Sequence, residues 1–512
     1  MSHRRLLIDW FLVGAGRCPD GVALCLGNRT WTYAQARGTA LRWAGALTAD
    51  GARPTRVGLL AARSPESYLG LLAALCCGAA VVPLNPAFPV VRNLAMAKTA
   101  GIDAVIVDRS GLPQLGPLVD ALPGLAVLAP QIPEPGVPVL AANHAALERP
   151  FAARLGDPAY ILFTSGSTGR PKGVPISHAN ISHFLSVNHE RYRPGPDDRI
   201  TQTFDQTFDL AMFDLFMAWG SGATLCPATR LQTLHPARYV ARHGITVWFS
   251  VPSVATIAQS SGLLVPGAMP GLRWSLFCGE ALADSAARAW SAAAPHTALE
   301  NLYGPTELTV ACTVHRWSGD RPSAPGPHGL VPIGRPYPGM EHLVVSGGKP
   351  SSEGELWLRG PQLFSGYLSA DDDRDAFAER DGYRWYRTGD RVRVLPDGEL
   401  AFLGRRDSQV KIRGHRVELG EIEHVLRSVP GVTSAAVVAV PGPQGAALMA
   451  FYTGTEHGSR ALAARLRERL PEYLVPPRFA HLGALPLNGN GKTDRGALRA
   501  AAAEEWSSLS PP

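Results

Sequence analysis

The segment ILFTSGSTGRPKG (161–173) runs an apolar, strand-like stretch into a loop of serine, threonine and glycine that ends in a lysine. Glycines let backbone N–H groups approach an anion closely, hydroxyls add donors, and a lysine adds a mobile cation. Thr164, Ser165, Gly166, Ser167, Thr168, Gly169 and Lys172 are therefore candidates for cradling a phosphate. The spacing from Gly166 to Lys172 is wrong for a Walker A loop, and GKT at 491–493 fails because the required first glycine falls on Pro486. Other segments place chemistry-bearing side chains against turn residues: NLYGPTE (301–307), YRTGD (386–390), GRRDSQVKIRG (404–414) and NGNGK (488–492). Taken singly, Asp390 reads equally as a solvated loop acid, Tyr303 as core packing and Lys492 as a surface lysine.

The chain has only five lysines, at 98, 172, 349, 411 and 492, among 49 basic residues, so 44 are arginine. A compact ammonium and a planar guanidinium are not interchangeable, and three of the five lysines fall in the segments just named. The net charge of +6 is scattered, with no run of five like charges. That pattern speaks against a nucleic-acid groove and suits an acidic protein partner. Seven cysteines without a CxxC pair fit reduced thiols in a cytoplasmic protein. The N-terminus has Asp9 inside a very short apolar run, which makes a poor signal peptide. The longest apolar stretch, Leu71 to Leu84, is too short to cross a membrane and reads as a buried helix running into a strand.

Positioning these residues requires alternating elements. Helix-like stretches (34–47, 65–77, 285–294) alternate with short apolar strands (57–61, 80–83, 104–107, 246–251, 274–278), the pattern of an α/β fold with largely parallel strands. From about Pro332 the texture turns to β, with strands at 355–359, 391–395 and 399–403. After Arg406 a compact α+β tail is expected: strands 409–413, 433–440 and 448–453 and helices 419–428 and 459–470. Length alone suggests two to four domains.

The motifs, in order and with similar spacing across nearly the whole chain, resemble the adenylate-forming enzymes, which include acyl-CoA synthetases, luciferases and peptide-synthetase adenylation domains. GELWLRG (354–360) and VELGEIE (417–423) complete the set. The resemblance implies a large N-terminal adenylation core, residues 1–406, with mixed and parallel sheets and a β-rich subdomain. It also implies a small mobile α+β lid, residues 407–512, hinged near Asp407. Asp407 reads alternatively as a linker acid. The implied chemistry is attack of a carboxylate on the α-phosphate of ATP, with Mg²⁺, to give an acyl-AMP and pyrophosphate. In that scheme Lys492 reaches the carboxylate and the α-phosphate, Thr306 contacts the α-phosphate and Glu307 holds Mg²⁺. Asp390 accepts from the ribose hydroxyls, with Arg405 close by. Tyr303 lies against adenine, Asn301 reads its amine, and Gly279 and Gly304 belong to the nucleotide site. A rotated lid presents the 411–414 face for thioester formation.

TFDLAMFD (207–214) resembles the segment in which amino-acid-activating members meet the substrate's ammonium with an aspartate, here Asp209. Capping of a helix that starts at Leu210 is the alternative role. By the same resemblance the remaining pocket positions are Leu210, Phe213, Phe249, Leu276, Cys278, Leu302, Val310 and Ala311, an apolar set. The order resembles stand-alone L-prolyl-AMP ligases, except at Phe213 and Ala311, so proline, alanine, valine or another small aliphatic amino acid remains open. The expected partner is a separate carrier protein with a phosphopantetheine thiol, since no serine motif for such an arm is found and the chain ends about twenty residues after Lys492. A monomer, no membrane and no nucleic acid are expected. The competing readings are an acyl-CoA synthetase for an acid lacking an amino group, and a catalytically silent scaffold.

Overall fold

A computed structural model of the chain describes residues 5–49, 51–132, 136–166, 170–319, 329–406, 409–412, 414–442, 445–487 and 493–508. Two sheets enclose a shared helical layer. One has six strands in the order Ala126–Leu128, Ala104–Val107, Arg56–Leu60, Ala80–Leu84, Pro158–Thr164 and Lys172–Ser177, all parallel but the last. The other has nine, whose inner six (Ala298–Tyr303, Trp274–Phe277, Val247–Ser250, Arg199–Gln202, Thr224–Pro227, Val22–Leu26) are parallel. Antiparallel strands close both of its ends. Continuous apolar runs such as AVVPL and AVIV are buried at every residue, as strands covered on both faces require.

The helices Pro65–Cys76 and Leu210–Ser221 are buried at every position, because they lie between sheets and have no face left for solvent. The Leu71–Leu84 stretch is thus a buried helix followed by a strand. The first apolar run is itself a helix, Leu7–Arg17, packed on Leu210–Ser221. Gly14 permits the approach: a Cβ there would lie 1.9 Å from the Trp219 carbonyl oxygen. Among the described residues, no helix is long and apolar enough to cross a membrane.

The β-rich part is a six-stranded antiparallel sheet. The strand expected at 391–395 is the end of a twelve-residue strand, Tyr383–Val394, which carries Trp385, Tyr386 and Thr388 inward before Asp390. Turn-like Gly389 hides that continuity in the sequence. Beyond residue 408 come the hairpin Gln409–Ile412/His415–Glu418, the helix Leu419–Arg427 and a three-stranded sheet. These elements have their own cores, around Val417, Leu426 and Tyr452 and around Val438 and Leu498.

One loop is held in strain. Thr309 and Val310, after the turn Thr306–Leu308, have φ of 58° and 72°, a conformation that disfavours β-branched residues and costs about 1–3 kcal/mol each. Gln362, fully buried, clamps the loop: its Nε2 donates to the carbonyls of Leu308 (3.0 Å), Thr309 (3.3 Å) and Ala311 (2.7 Å). The backbone carbonyl of Gln362 accepts from the Thr309 hydroxyl at 2.7 Å. Replacing Gln362 by Ala is expected to cost about 2–4 kcal/mol of stability through three unpaired carbonyls. Denaturant unfolding measures this, and a wild-type midpoint would mean that the strain is held elsewhere.

Candidate functional site

The carboxyl ends of parallel strands converge on one cavity, where α/β sheets commonly bind ligands. Thr164 and Ser165 follow the strand Pro158–Thr164, Cys278 and Gly279 follow Trp274–Phe277, and Gly304, Pro305 and Thr306 follow Ala298–Tyr303. Asp209 and Leu210 enter from the start of a buried helix, and Asp390 and Arg405 from paired antiparallel strands. The remaining wall comes from the C-terminal part, with Lys411, Gly414, His415, Arg416 and Tyr473.

Asp209 precedes the helix Leu210–Ser221 but does not cap it with its side chain. Its carboxylate accepts from the Thr306 hydroxyl and the Leu210 N–H instead. Burial pushes its pKa up to about 6; those two hydrogen bonds and nearby Lys411 act against this, and Glu307 adds to it. Among the described residues it forms no ion pair within 4.0 Å. Leu210, Cys278 and Val310 join Asp209 in the cavity wall. Phe213, Phe249, Leu276, Leu302 and Ala311 are also buried but stand behind that wall. The Phe213 and Phe249 rings meet edge-on at 4.7 Å, so they back the pocket with rigid apolar volume.

On the other side of the cavity, Asp390 accepts from the Tyr303 hydroxyl at 2.5 Å and from Arg405 at 2.6 Å. Asn301 donates its amide to the carbonyls of Pro332 (2.9 Å) and Val331 (3.3 Å). This leaves its Oδ1 as a buried acceptor without a partner among the described residues. Such an atom costs free energy until a donor reaches it. Glu307, 1% exposed, pairs with Arg416 at 3.1 Å and accepts from the Tyr367 hydroxyl at 2.6 Å. Burial pushes its carboxyl up, and Arg416 and Tyr367 outweigh burial and hold it below the usual range. Lys172 stands nearby, 3.6 Å from Asp372 and over the Tyr367 ring. A Cβ on Gly166 would meet the Arg170 carbonyl at 2.2 Å, so the loop accepts only glycine there. Ser167, Thr168, Gly169, Asp407 and Lys492 lie outside the described residues.

Several contacts were not visible in the motifs. Ser165 donates to the Arg416 carbonyl (2.7 Å) and accepts from the Glu418 N–H (3.2 Å). Glu280 ties the Gly414 N–H (2.7 Å) to the Ser253 N–H (2.9 Å). Gly414 has φ +82°, and a Cβ there would lie 2.5 Å from Val251. Arg92 and Glu421, 5% and 1% exposed, form an ion pair at 2.6 Å. His415 stacks on Tyr473 at 3.5 Å and meets Phe208 edge-on. Most of these contacts join residues more than a hundred positions apart, so no local pattern in the sequence announces them.

Residues 11–368 match the family described as AMP-binding enzyme, and residues 421–492 its C-terminal domain. Phosphinothricin tripeptide synthetase PhsC of Streptomyces viridochromogenes is 36% identical across 97% of this chain, which spans 45% of that protein. The chain likewise covers well under two thirds of several other curated relatives that it matches. The crystal structure of IdnL7 is 46% identical, with a TM-score of 0.76 over 98% of this chain and 99% of that one. The Vibrio cholerae adenylation domain AlmE, solved with glycyl-adenosine-5'-phosphate, is 29% identical, with a TM-score of 0.84 over 98% and 99%. With its phosphate loop, its paired sheets and its C-terminal unit closing one cavity, the chain belongs to the AMP-binding enzymes, as an adenylation domain of the nonribosomal-peptide-synthetase type.

Proposed function

We propose that this protein joins an amino acid with a small apolar side chain, L-proline or another small aliphatic one, to AMP. The acyl group then passes to the phosphopantetheine thiol of a carrier protein. The observation that carries the reading is Asp209, a buried carboxylate in the cavity wall without an ion-pair partner within 4.0 Å among the described residues. A buried anion is stabilised by a cation held at hydrogen-bond distance, and the substrate's ammonium is that cation. Leu210, Cys278 and Val310, backed by Phe213 and Phe249, offer a side chain no polar partner. The glycyl-adenylate bound by the related AlmE supports the same class of product.

In the first step the amino acid's carboxylate attacks the α-phosphorus of ATP, and pyrophosphate departs with the electron pair of the broken P–O bond. Asp209 orients the ammonium, and Thr306, beside Asp209, contacts the α-phosphate. Asp390 accepts from the ribose, and the spare Asn301 Oδ1 accepts from the adenine amine, a complementary donor. Tyr303 lies against the adenine. Thr164 to Gly169 and Lys172 receive the outer phosphates, with Gly279, Gly304 and Arg405 shaping the remaining nucleotide site. Among the described residues no group of three or more His, Cys, Asp or Glu side chains could hold a metal. Glu307 would hold the Mg²⁺ that accompanies the phosphates, and the ion would supply charge neutralisation there. Lys492 bridges the reacting carboxylate and phosphate.

The orientation described here supports the second half-reaction. Ser165 and Glu307, groups needed by the phosphates, are tied to Glu418 and Arg416, and Lys411 lines the cavity. Rotation about Asp407, between a core of residues 1–406 and a lid of residues 407–512, exchanges Lys411 for Lys492.

ATP–pyrophosphate exchange with a panel of amino acids tests the reading; no exchange with any of them would sink it. Lys492→Ala should abolish most exchange while leaving the unfolding transition in place. Because only ionised Asp209 serves the ammonium, kcat/KM for the amino acid should drop about tenfold per pH unit below pH 6. Asp209→Asn should lower it at pH 8 by at least about a hundredfold and remove that limb, with ATP affinity unchanged. Glu421→Gln should slow acyl transfer to the carrier about tenfold or more while sparing exchange, and Arg92→Glu with Glu421→Arg should recover part of the loss. Parallel loss of both half-reactions would assign the Arg92–Glu421 pair to folding rather than orientation.

A further inference from the structure

Outside the cavity wall, two cysteines are brought together by strand register. The parallel strands Val22–Leu26 and Thr224–Pro227 pair with Leu24 opposite Leu225, so one residue further on Cys25 stands beside Cys226. The two leucines face the large core, whereas Cys226 and Cys25 face the neighbouring core around Tyr239 and Trp248. Adjacent strands lie about 4.8 Å apart, inside the range of about 4.4–6.8 Å between Cα atoms that a disulfide spans. The Cys226 Sγ lies 3.9 Å from the Thr224 carbonyl oxygen, and Cys25 lies within interaction distance of Cys226, Arg199 and His243. Cys226 is fully buried and Cys25 half-buried, so one sulfur meets solvent and the other waits behind it.

The surrounding groups hold this arrangement. The Arg199 guanidinium donates to the His243 carbonyl. The His243 ring packs on Tyr239 at 4.4 Å, and the Tyr239 hydroxyl donates to the Cys226 carbonyl at 2.9 Å. The Cys226 hydrogen bond, with Arg199 and His243, holds the Cys25 thiol down to about 5 against the effect of burial. The same hydrogen bond and burial push the Cys226 thiol up. Cys76, Cys77, Cys278 and Cys312 are buried and pushed up as well.

We propose that Cys25 and Cys226 form a reversible oxidation site for hydroperoxides, with Cys25 as the attacking thiol and Cys226 as the resolving one. The Cys25 thiolate attacks the terminal peroxide oxygen, the O–O bond breaks, and hydroxide or alkoxide leaves, giving a sulfenic acid at Cys25. The Cys226 sulfur then attacks the Cys25 sulfur, the S–O bond breaks, and the departing hydroxyl takes the Cys226 proton to leave as water. Two thiols have lost two electrons, the peroxide has gained them, and a dithiol reverses the change. A disulfide between neighbouring strands is constrained, which makes it readily reduced. It would staple the N-terminal strand hairpin at the sheet's edge to the strand beside it.

The test uses the full chain treated with hydrogen peroxide, then alkylated and mapped without reductant. The expected result is a mass loss of about 2 Da, a linked peptide pair holding Cys25 and Cys226, and full reversal by dithiothreitol. Cys226→Ser should leave a sulfenic acid at Cys25 that dimedone traps, and Cys18→Ser, which removes the other half-buried thiol, should change nothing. A second measurement needs no variant: iodoacetamide at about pH 6.5 should label Cys25 at least fivefold faster than Cys18. Wild-type oxidation that runs to sulfinic acid without the linked pair would overturn the proposal, as would equal labelling of Cys18 and Cys25.

Discussion

Two carboxylates are buried close together, Asp209 in the cavity wall and Glu307 next to the wall residue Thr306, and Glu307 raises the cost of ionising Asp209. Like charges withdrawn from water are tolerated only when cations or oriented donors face them. The nearby polar architecture answers this demand. Thr306 and the Leu210 N–H serve Asp209, while Arg416 and Tyr367 serve Glu307. The difference between the two sets is informative. Glu307 has a guanidinium in contact and is held below the usual carboxylate range, whereas Asp209 has dipoles and only the more distant Lys411, and burial pushes it up to about 6. The site is complete for one anion and one cation short for the other.

The fold serves this demand by bringing strand ends and the hairpin Gln409–Ile412/His415–Glu418 to one point. Val310, in the pocket wall, is held at an unfavourable φ by Gln362 from the β-rich part of the chain. That clamp fixes the loop whose other end carries Thr306 and Glu307, so the geometry of both carboxylates depends on a residue that touches neither. Strain of this kind persists where the surroundings over-determine it.

Much of this could be read in the sequence. The parallel-strand alternation, the change to β texture near Pro332 and the compact tail all depend on local periodicity; Ala104–Val107 is found as expected, most elements shift by one or two residues, and the strand expected at 391–395 begins at Tyr383. The cavity residues Thr164, Ser165, Asp209, Cys278, Thr306 and Asp390 sit in segments whose glycines and hydroxyls mark them locally. What stayed hidden is non-local. Nothing in RGHRVE announces that Arg416 reaches Glu307, and a glutamine at 362 reads as an ordinary loop residue. The separation of Phe213, Phe249 and Leu276 from the cavity wall is also a matter of packing depth, which residue type does not encode.

The competition at Ser165 and Glu307 gives the proposed reaction its order. In the proposed cycle, phosphates with their Mg²⁺ would compete for those groups with Arg416 and the Glu418 N–H, and the hairpin would be kept out. Departure of pyrophosphate with its metal would leave Glu307 as a bare buried carboxylate, an expensive state that Arg416 relieves. In that docked arrangement the Arg92–Glu421 pair is buried and the Gly414 N–H donates to Glu280, contacts that the proposed rotation would make and break. A cost created by the first step is thereby removed by the rearrangement that the second step needs. The direction of the cycle then follows from charge compensation at one glutamate.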